Sequence, residues 1–263
     1  MTCRSPRGAA ALAVLALAPL ALHAAPKFSY EDWNKVLGKY VDERGYVNYD
    51  ALAADRGNLD RFLAAIEKTS PRSNPELFPS KNDQLAYWLN AYNAQVFKGV
   101  LARGPERESV WKGGIFSGYS FFVGMDIVLG GEKLNLKKLE DKTVREGFKD
   151  PRVHAALNCA SKGCPRLPEV ALDPEKLDEQ LDDGMKGFVA EKRNVTIDDA
   201  AKTVTLSKIF DWFSGDFVAY EKAHSDPDGS QIDYVNRYRG SLPKVPKGYA
   251  IKFFEYDKGV NRQ

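Results

Sequence analysis

The hydrophobic positions of this chain change period several times, and each change marks an element. From 82 to 103, Leu85, Trp88, Leu89, Tyr92, Val96 and Val100 recur at steps of three and four, the pattern of a helix with one apolar stripe. Gly104-Pro105 ends it. Ser29 with Asp32 reads as a capping box for a helix through about Tyr40, and a second helix is expected over 50–68, weakened at Gly57. The proline- and serine-rich stretch 69–81 is a loop. Phe121–Leu129 reads as a strand that Gly130-Gly131 turns back into a hairpin, and Asn135 caps a helix from Leu136 to about Phe148. The apolar run Arg152–Cys159 reads as a strand, followed by a helix over 174–192 with one polar face. A hairpin over 195–206, helices over 209–220 and 232–238, and a closing strand over 249–256 complete the chain. Helices and hairpins alternate without regular βαβ units. The expected fold is therefore α+β, a single domain with a mostly antiparallel sheet and packed helices.

The N-terminus breaks this pattern. Arg4 and Arg7 precede an apolar run over 9–22, and a small-residue stretch follows at Leu22-His23-Ala24-Ala25-Pro26. That order is a secretory signal peptide, expected to be residues 1–24, with one domain over 25–263. The run is shorter than the roughly 20 residues of a membrane span, so no membrane insertion is expected after cleavage, and the address is periplasmic or secreted. Removing the two arginines takes the net charge from +2 to zero, which excludes the basic excess of a general nucleic-acid binder. No phosphate loop, dinucleotide fingerprint or His-Glu-x-x-His occurs, so no cofactor is expected. Two sulfurs and one nearby histidine are too few for a metal site.

The chemistry that the chain can offer is concentrated in three blocks. The first lies in the run that ends at Cys159. Strand alternation would put His154 and Asn158 on one face and Cys159 on the other, with Cys164 beyond a Ser-Lys-Gly turn. Two readings follow. Cys164 is a nucleophile with His154 as its general base, the commonest way to activate a thiol. Alternatively, Cys159 and Cys164 form a disulfide, which an oxidising compartment favours. The second block is Tyr87–Asn93, where Asn90 and Asn93 share a helix face and either line a pocket or bond to a loop backbone. The third is Ser207–Phe217, where Lys208 is a candidate ligand contact and Asp216 a candidate partner that orients His154.

Taken together, the three blocks resemble the domain-of-unknown-function family 547. Trp88 to Asn93 matches its helix motif, Asp150 to Pro165 its histidine–cysteine motif, and Ser207 to Phe217 its aromatic motif. The resemblance covers a core of about residues 80–220. Arg166 stands where the family usually carries a second proline. The resemblance implies a fold distantly akin to papain-like or transglutaminase-like hydrolases. In those enzymes, however, the cysteine starts the helix and precedes the histidine, so the order here would be rearranged.

The expected function is thiol-dependent acyl transfer or hydrolysis on a peptide-like or thiol-containing substrate. Cys164, His154 and Asp216 would be catalytic, and Asn90, Asn93, Asn158 and Lys208 would bind substrate. The rival is a non-catalytic envelope domain that binds a small-molecule or peptide-like ligand, with the Cys159–Cys164 disulfide as a staple.

Overall fold

The computed structural model describes Met1 and residues 27–104, 106–111 and 117–263. Residues 2–24 of the expected signal segment lie outside the described residues. Helix α1 (Glu31–Tyr40) packs on α3 (Gly57–Lys68), and α3 packs on the long α4 (Lys81–Arg103). Ser80 and Asp83 close a capping box on α4, each accepting a backbone N–H from the other. An apolar stripe predicts a helix buried on one side only. Instead, every residue from Leu85 to Phe97 is buried, because other elements cover α4 all round. Asn90 and Asn93 therefore lie inside the protein and need partners there.

The expected helix over 50–68 is two helices, α2 (Tyr49–Ala54) and α3, which separate just before Gly57. Ser29 accepts the Glu31 amide, but no reciprocal capping box forms at α1, whose N-cap is Tyr30. Phe121–Leu129 is not one strand. Its first residues close helix α5 (Ser117–Phe122), and only β1 (Ile127–Leu129) is extended, paired antiparallel with β2 (Glu132–Leu134). Gly130 and Gly131 turn the hairpin at φ 57° and 79°, a conformation that suits glycine. The expected 136–148 helix forms, capped by Asn135, but only its ends are α-helical: α6 (Leu136–Lys138) and α7 (Glu146–Phe148). Between them Leu139–Arg145 widens into a π-helix packed on α4. Such wide turns recur at functional sites.

The segment 152–159 departs furthest from expectation. It is no strand: Pro151–Ala155 is a turn of 3-10 helix, and Leu157–Cys159 is irregular. Pro151 suits a first helical position, and the Asp150 carboxylate accepts the Arg152 amide. Burial on all sides gives a continuous apolar run, which looks the same in a buried strand and a buried helical turn.

Helix α8 (Leu177–Ala190) follows, then β3 (Val195–Asp198) and β4 (Thr203–Leu206), antiparallel with Val195 opposite Leu206. Helices α9 (Lys208–Trp212), α10 (Ser214–His224) and α11 (Gln231–Tyr238) lead to β5 (Ala250–Phe253). β5 adds to β4 in parallel, so the three-stranded sheet is mixed. The α+β class holds, with the sheets small and the helices dominant. Beyond β5 the tail folds back: Ser161 bridges Val260, and Val47 bridges Arg262. Two buried clusters result, one centred on α1–α4 and one on α8–α11. The turn that carries His154 lies where they meet: Val153 and Leu157 belong to the first, Ala155 to the second. No helix of the described residues is long and apolar enough to cross a membrane.

Candidate functional site

The site begins with the 3-10 turn. It holds His154 at 3% exposure, with its ring stacked on Phe213 at 4.1 Å and beside Phe217 at 5.2 Å. His154 Nε2 lies 2.8 Å from Asp216 Oδ2. The same carboxylate accepts two bonds from Arg145, at 2.8 and 3.2 Å. Burial works against the charge on Asp216, but hydrogen bonds from His154 and Arg145 hold its carboxyl down at about 2. An ionised carboxylate only accepts, so the proton of the pair sits on Nε2 of His154. Nδ1 then carries the free lone pair and makes no hydrogen bond to any described residue. Burial pushes the imidazole below its ordinary value, and Asp216 offsets this only in part. The ring is neutral near pH 7 and able to take a proton at Nδ1.

The cysteine turn is held by Asn158. Its side chain donates to Pro165 O at 2.9 Å and accepts from the Ala160 amide at 2.8 Å. Ala160, fully buried, adopts φ 61°, a left-handed conformation that costs a non-glycine residue about 1 kcal/mol. The turn brings the two sulfurs to 2.8 Å, and both cysteines are free thiols. Tyr256 Oη reaches both, 3.2 Å from Cys159 Sγ and 3.1 Å from Cys164 Sγ. Ser161 Oγ lies 3.4 Å from Cys159 Sγ and accepts from Trp111 Nε1 at 2.8 Å. Cys164 is buried at 4% exposure, whereas Cys159 is only half-buried.

The two thiols are driven apart in acidity. The contact with Cys164, and hydrogen bonds to Ser161 and Tyr256, lower the Cys159 thiol against the cost of burial. Burial, then the hydrogen bond with Cys159 and its charge, pushes Cys164 well up. One contact favours the opposite order: the Cys159 amide donates to Cys164 Sγ at 3.0 Å. Cys159 is still the better thiolate, because it is the more exposed of the two residues and lies within reach of the Ser161, Tyr256 and Cys164 side chains.

Both cysteines and His154 line one cavity of about 340 Å³. Its walls are largely apolar and include Tyr92, Leu157, Ile209, Trp212 and Phe213. Trp212, 45% exposed, packs against Tyr256 with ring centres 4.7 Å apart and the planes tilted by 53°. Glu140, on the π-helix, is the carboxylate in this wall, and Tyr92 Oη lies 3.3 Å from its Oε2. Burial, with the nearby charge of Asp141, pushes its carboxyl up to about 7. A carboxyl poised there can give or take a proton at neutral pH.

The residues expected from the sequence divide into two groups. His154, Asp216, Cys159 and Cys164 come together, although Asp216 sits behind the histidine, on a separate surface groove with Arg145 and His224. The strand argument that turned Cys159 away from His154 fails with the strand itself, since both face the cavity. Asn90 and Asn93 of α4 do not line it. Asn90 bonds the carbonyl and amide of Leu172 at 2.9 and 3.0 Å, and Asn93 bonds Ala156 O and the Asn158 amide at 2.9 and 3.0 Å. With Asn158, they fix the backbone that carries the site. Lys208 pairs with Asp211 at 2.6 Å and does not line the cavity. No His/Cys/Asp/Glu cluster among the described residues could hold a metal ion.

Two residues with a place in the site had no sequence signal of their own. Glu140 sits in a run that reads as an exposed charged helix, and only the π-turn against α4 points it inward. Tyr256 arrives from almost 100 residues away because Lys162 donates to Gly259 O and Gly163 to Asp257 O, at 2.7 and 2.9 Å. Gly163 has to be glycine for space: a Cβ there would stand 2.7 Å from Tyr256 Cε2.

Fold and site thus define an α+β domain with an apolar cavity lined by His154 and two cysteines, and with Asp216 behind the histidine. The family described as "Protein of unknown function, DUF547" matches residues 77–189, and that segment belongs to it. The match spans α4 and the cysteine turn, while the Ser207–Phe217 block that supplies Asp216 lies beyond it. No curated protein and no solved structure matches the chain.

Proposed function

We propose that this is an exported, thiol-dependent acyl hydrolase or acyltransferase, acting on a peptide-like or thioester substrate with an apolar acyl portion. The address rests on the N-terminal order of arginines, apolar run and small residues. The chemistry rests on one observation above all: the half-buried Cys159, whose sulfur lies within reach of the Ser161, Cys164 and Tyr256 side chains, lines a cavity lined also by His154 and Glu140.

The Cys159 thiolate attacks the substrate carbonyl, and the leaving group departs with a proton from Glu140. This forms a thioester on Cys159 and a carboxylate on Glu140. A water, or an acceptor thiol or amine, then attacks the thioester and loses its proton to Nδ1 of His154. Asp216 steadies the imidazolium that results, as the third member of a triad does. The Cys159–acyl bond breaks, the new acyl product leaves, Cys159 is again a thiolate, and the imidazolium's proton returns through solvent to the Glu140 carboxylate. Cys159 rather than Cys164 takes the nucleophile's part because it is the more exposed of the two residues and its thiol is the one held down.

The test is turnover of acyl thioesters and N-acyl peptides of graded apolar length by the mature chain. Cys159→Ser should abolish turnover and the acyl adduct seen by mass spectrometry, whereas Cys164→Ser should keep both. Full activity in Cys159→Ser would overturn the proposal. An apolar cavity also suits the rival, a binding domain stapled by Cys159–Cys164. Two free thiols in a count under denaturing conditions on native protein would exclude the staple.

A further inference from the structure

The acyl chemistry uses one sulfur, and the site holds two. Cys164 is the more buried of two cysteines that line the cavity, with their sulfurs 2.8 Å apart and Tyr256 Oη within reach of both. A single nucleophile needs no second thiol in contact with it. A thiol with higher pKa beside the nucleophile also has no part in activating a histidine, and no hydrogen bond joins His154 to either sulfur. What such a pair does well is resolve a mixed disulfide. We infer that Cys159 and Cys164 form a redox-active dithiol that exchanges with organic disulfides entering the apolar cavity, with Cys159 attacking and Cys164 resolving.

The steps balance. The Cys159 thiolate attacks one sulfur of R–S–S–R′, the substrate S–S bond breaks, and R′–S⁻ leaves. Cys159 now carries a mixed disulfide with R. Cys164 loses its proton to the departing R′–S⁻ and attacks Cys159 Sγ, the Cys159–S–R bond breaks, and R–S⁻ leaves. The substrate disulfide is reduced to two thiols, and the protein is oxidised to a Cys159–Cys164 disulfide. A dithiol reductant restores the pair by the reverse sequence. Direction and role follow from position: the first attacker must be reachable and carry the lower pKa, while the resolver must be near and need not be reachable. The five-residue step between the cysteines is unlike the Cys-x-x-Cys of common exchangers, but the left-handed Ala160 folds it back so that the sulfurs meet. Trp212 and Tyr256 at the rim favour a disulfide flanked by apolar or aromatic groups.

The experiment uses the full mature chain, fully reduced, with oxidised glutathione as the probe and intact mass as the readout. Wild-type protein should end about two mass units lighter with no glutathione attached. Cys164→Ser should stop at one glutathione on Cys159, and Cys159→Ser should react at least about tenfold more slowly. Stable glutathione adducts on the wild type, or equal rates for the two serine variants, would overturn the inference. The wild-type result does not depend on either variant folding. The same Cys164→Ser preparation is assayed with an acyl thioester. Turnover there, without disulfide formation in the wild type, removes the redox role and leaves the acyl reading standing. The converse result removes the acyl reading alone.

Discussion

Gly163 and Tyr256 touch so closely that a single methyl group would separate them: a Cβ on Gly163 would lie 2.7 Å from the Tyr256 ring and 3.0 Å from the Asp257 carbonyl. The contact sets the tyrosine hydroxyl over the two sulfurs, and so links the cysteine turn to the chain's last residues.

The first prediction concerns that hydroxyl. Tyr256 donates to a thiolate and stabilises its charged form, so losing the donor should raise the Cys159 pKa. A net hydrogen bond of about 0.5–1.5 kcal/mol corresponds to roughly half a unit to one unit. Tyr256→Phe, and Gly163→Ala by displacing the ring, should both shift the pH profile of iodoacetamide labelling at Cys159 upward by about that much. Unchanged profiles in both variants would remove Tyr256 from the thiolate's support.

Glu140 predicts a pH dependence of stability. Its folded pKa, about 7, lies above the unfolded value of 4.5. The folded state therefore holds the extra proton between these values, and stability is lost as pH rises through that window. Glu140→Gln keeps a partner for Tyr92 and removes the titration. It should match wild type near pH 4 and be more stable by about 1–3 kcal/mol at pH 8. Denaturant unfolding at the two pH values tests this, and equal stability at both would show that the carboxyl is not held up by burial.

Asp216 and His154 act in the opposite sense. Both have folded pKa values below their unfolded ones. Their stabilisation is complete above about pH 6.5 and falls on acidification, first as unfolded histidine gains its proton, then as Asp216 protonates between about 4 and 2. Asp216→Asn should cost about 1–2 kcal/mol at pH 7, a modest figure because the side chain is 31% exposed and Arg145 keeps Asp141 at 2.7 Å. The variant should lose less stability than wild type below about pH 4, where Asp141, Asp178 and Asp233, also held low, still protonate. Thermal melts from pH 7 to pH 3 give the measurement.

Asn93 separates scaffold from ligand contact. Asn93→Ala leaves the Ala156 carbonyl and the Asn158 amide buried without their partner. The expected cost is about 2–4 kcal/mol of stability. If the variant melts like wild type yet loses ligand binding, Asn93 contacts ligand after all.

Trp212 gives the complementary case. It is exposed at the cavity rim, so Trp212→Ala should change stability by less than about 0.5 kcal/mol. It should raise KM for an aromatic acyl thioester about five- to tenfold, the effect of losing one aromatic stacking contact. A large fall in melting temperature with no change in KM would assign Trp212 to the core.

Much of this protein was legible in one dimension. Period and punctuation located α4, the Gly130-Gly131 hairpin, the 195–206 hairpin and the Asn135 cap, because these are local choices of backbone and side chain. The residue types of three blocks singled out His154, Asp216 and the two cysteines, which do come together. Tertiary structure decided the rest. A continuous apolar run cannot distinguish a buried strand from a buried 3-10 turn, so the direction of Cys159 relative to His154 was fixed only by packing between two cores. Asn90 and Asn93 read equally well as pocket or scaffold until helices enclosed α4 and gave them backbone partners. Glu140 and Tyr256 left no local trace, because a π-turn against one helix and a chain end folded back over a glycine are long-range contacts. Sequence determined which groups could do chemistry here. The meeting of distant segments, driven by burial, decided which of them share a cavity and what charge each one carries.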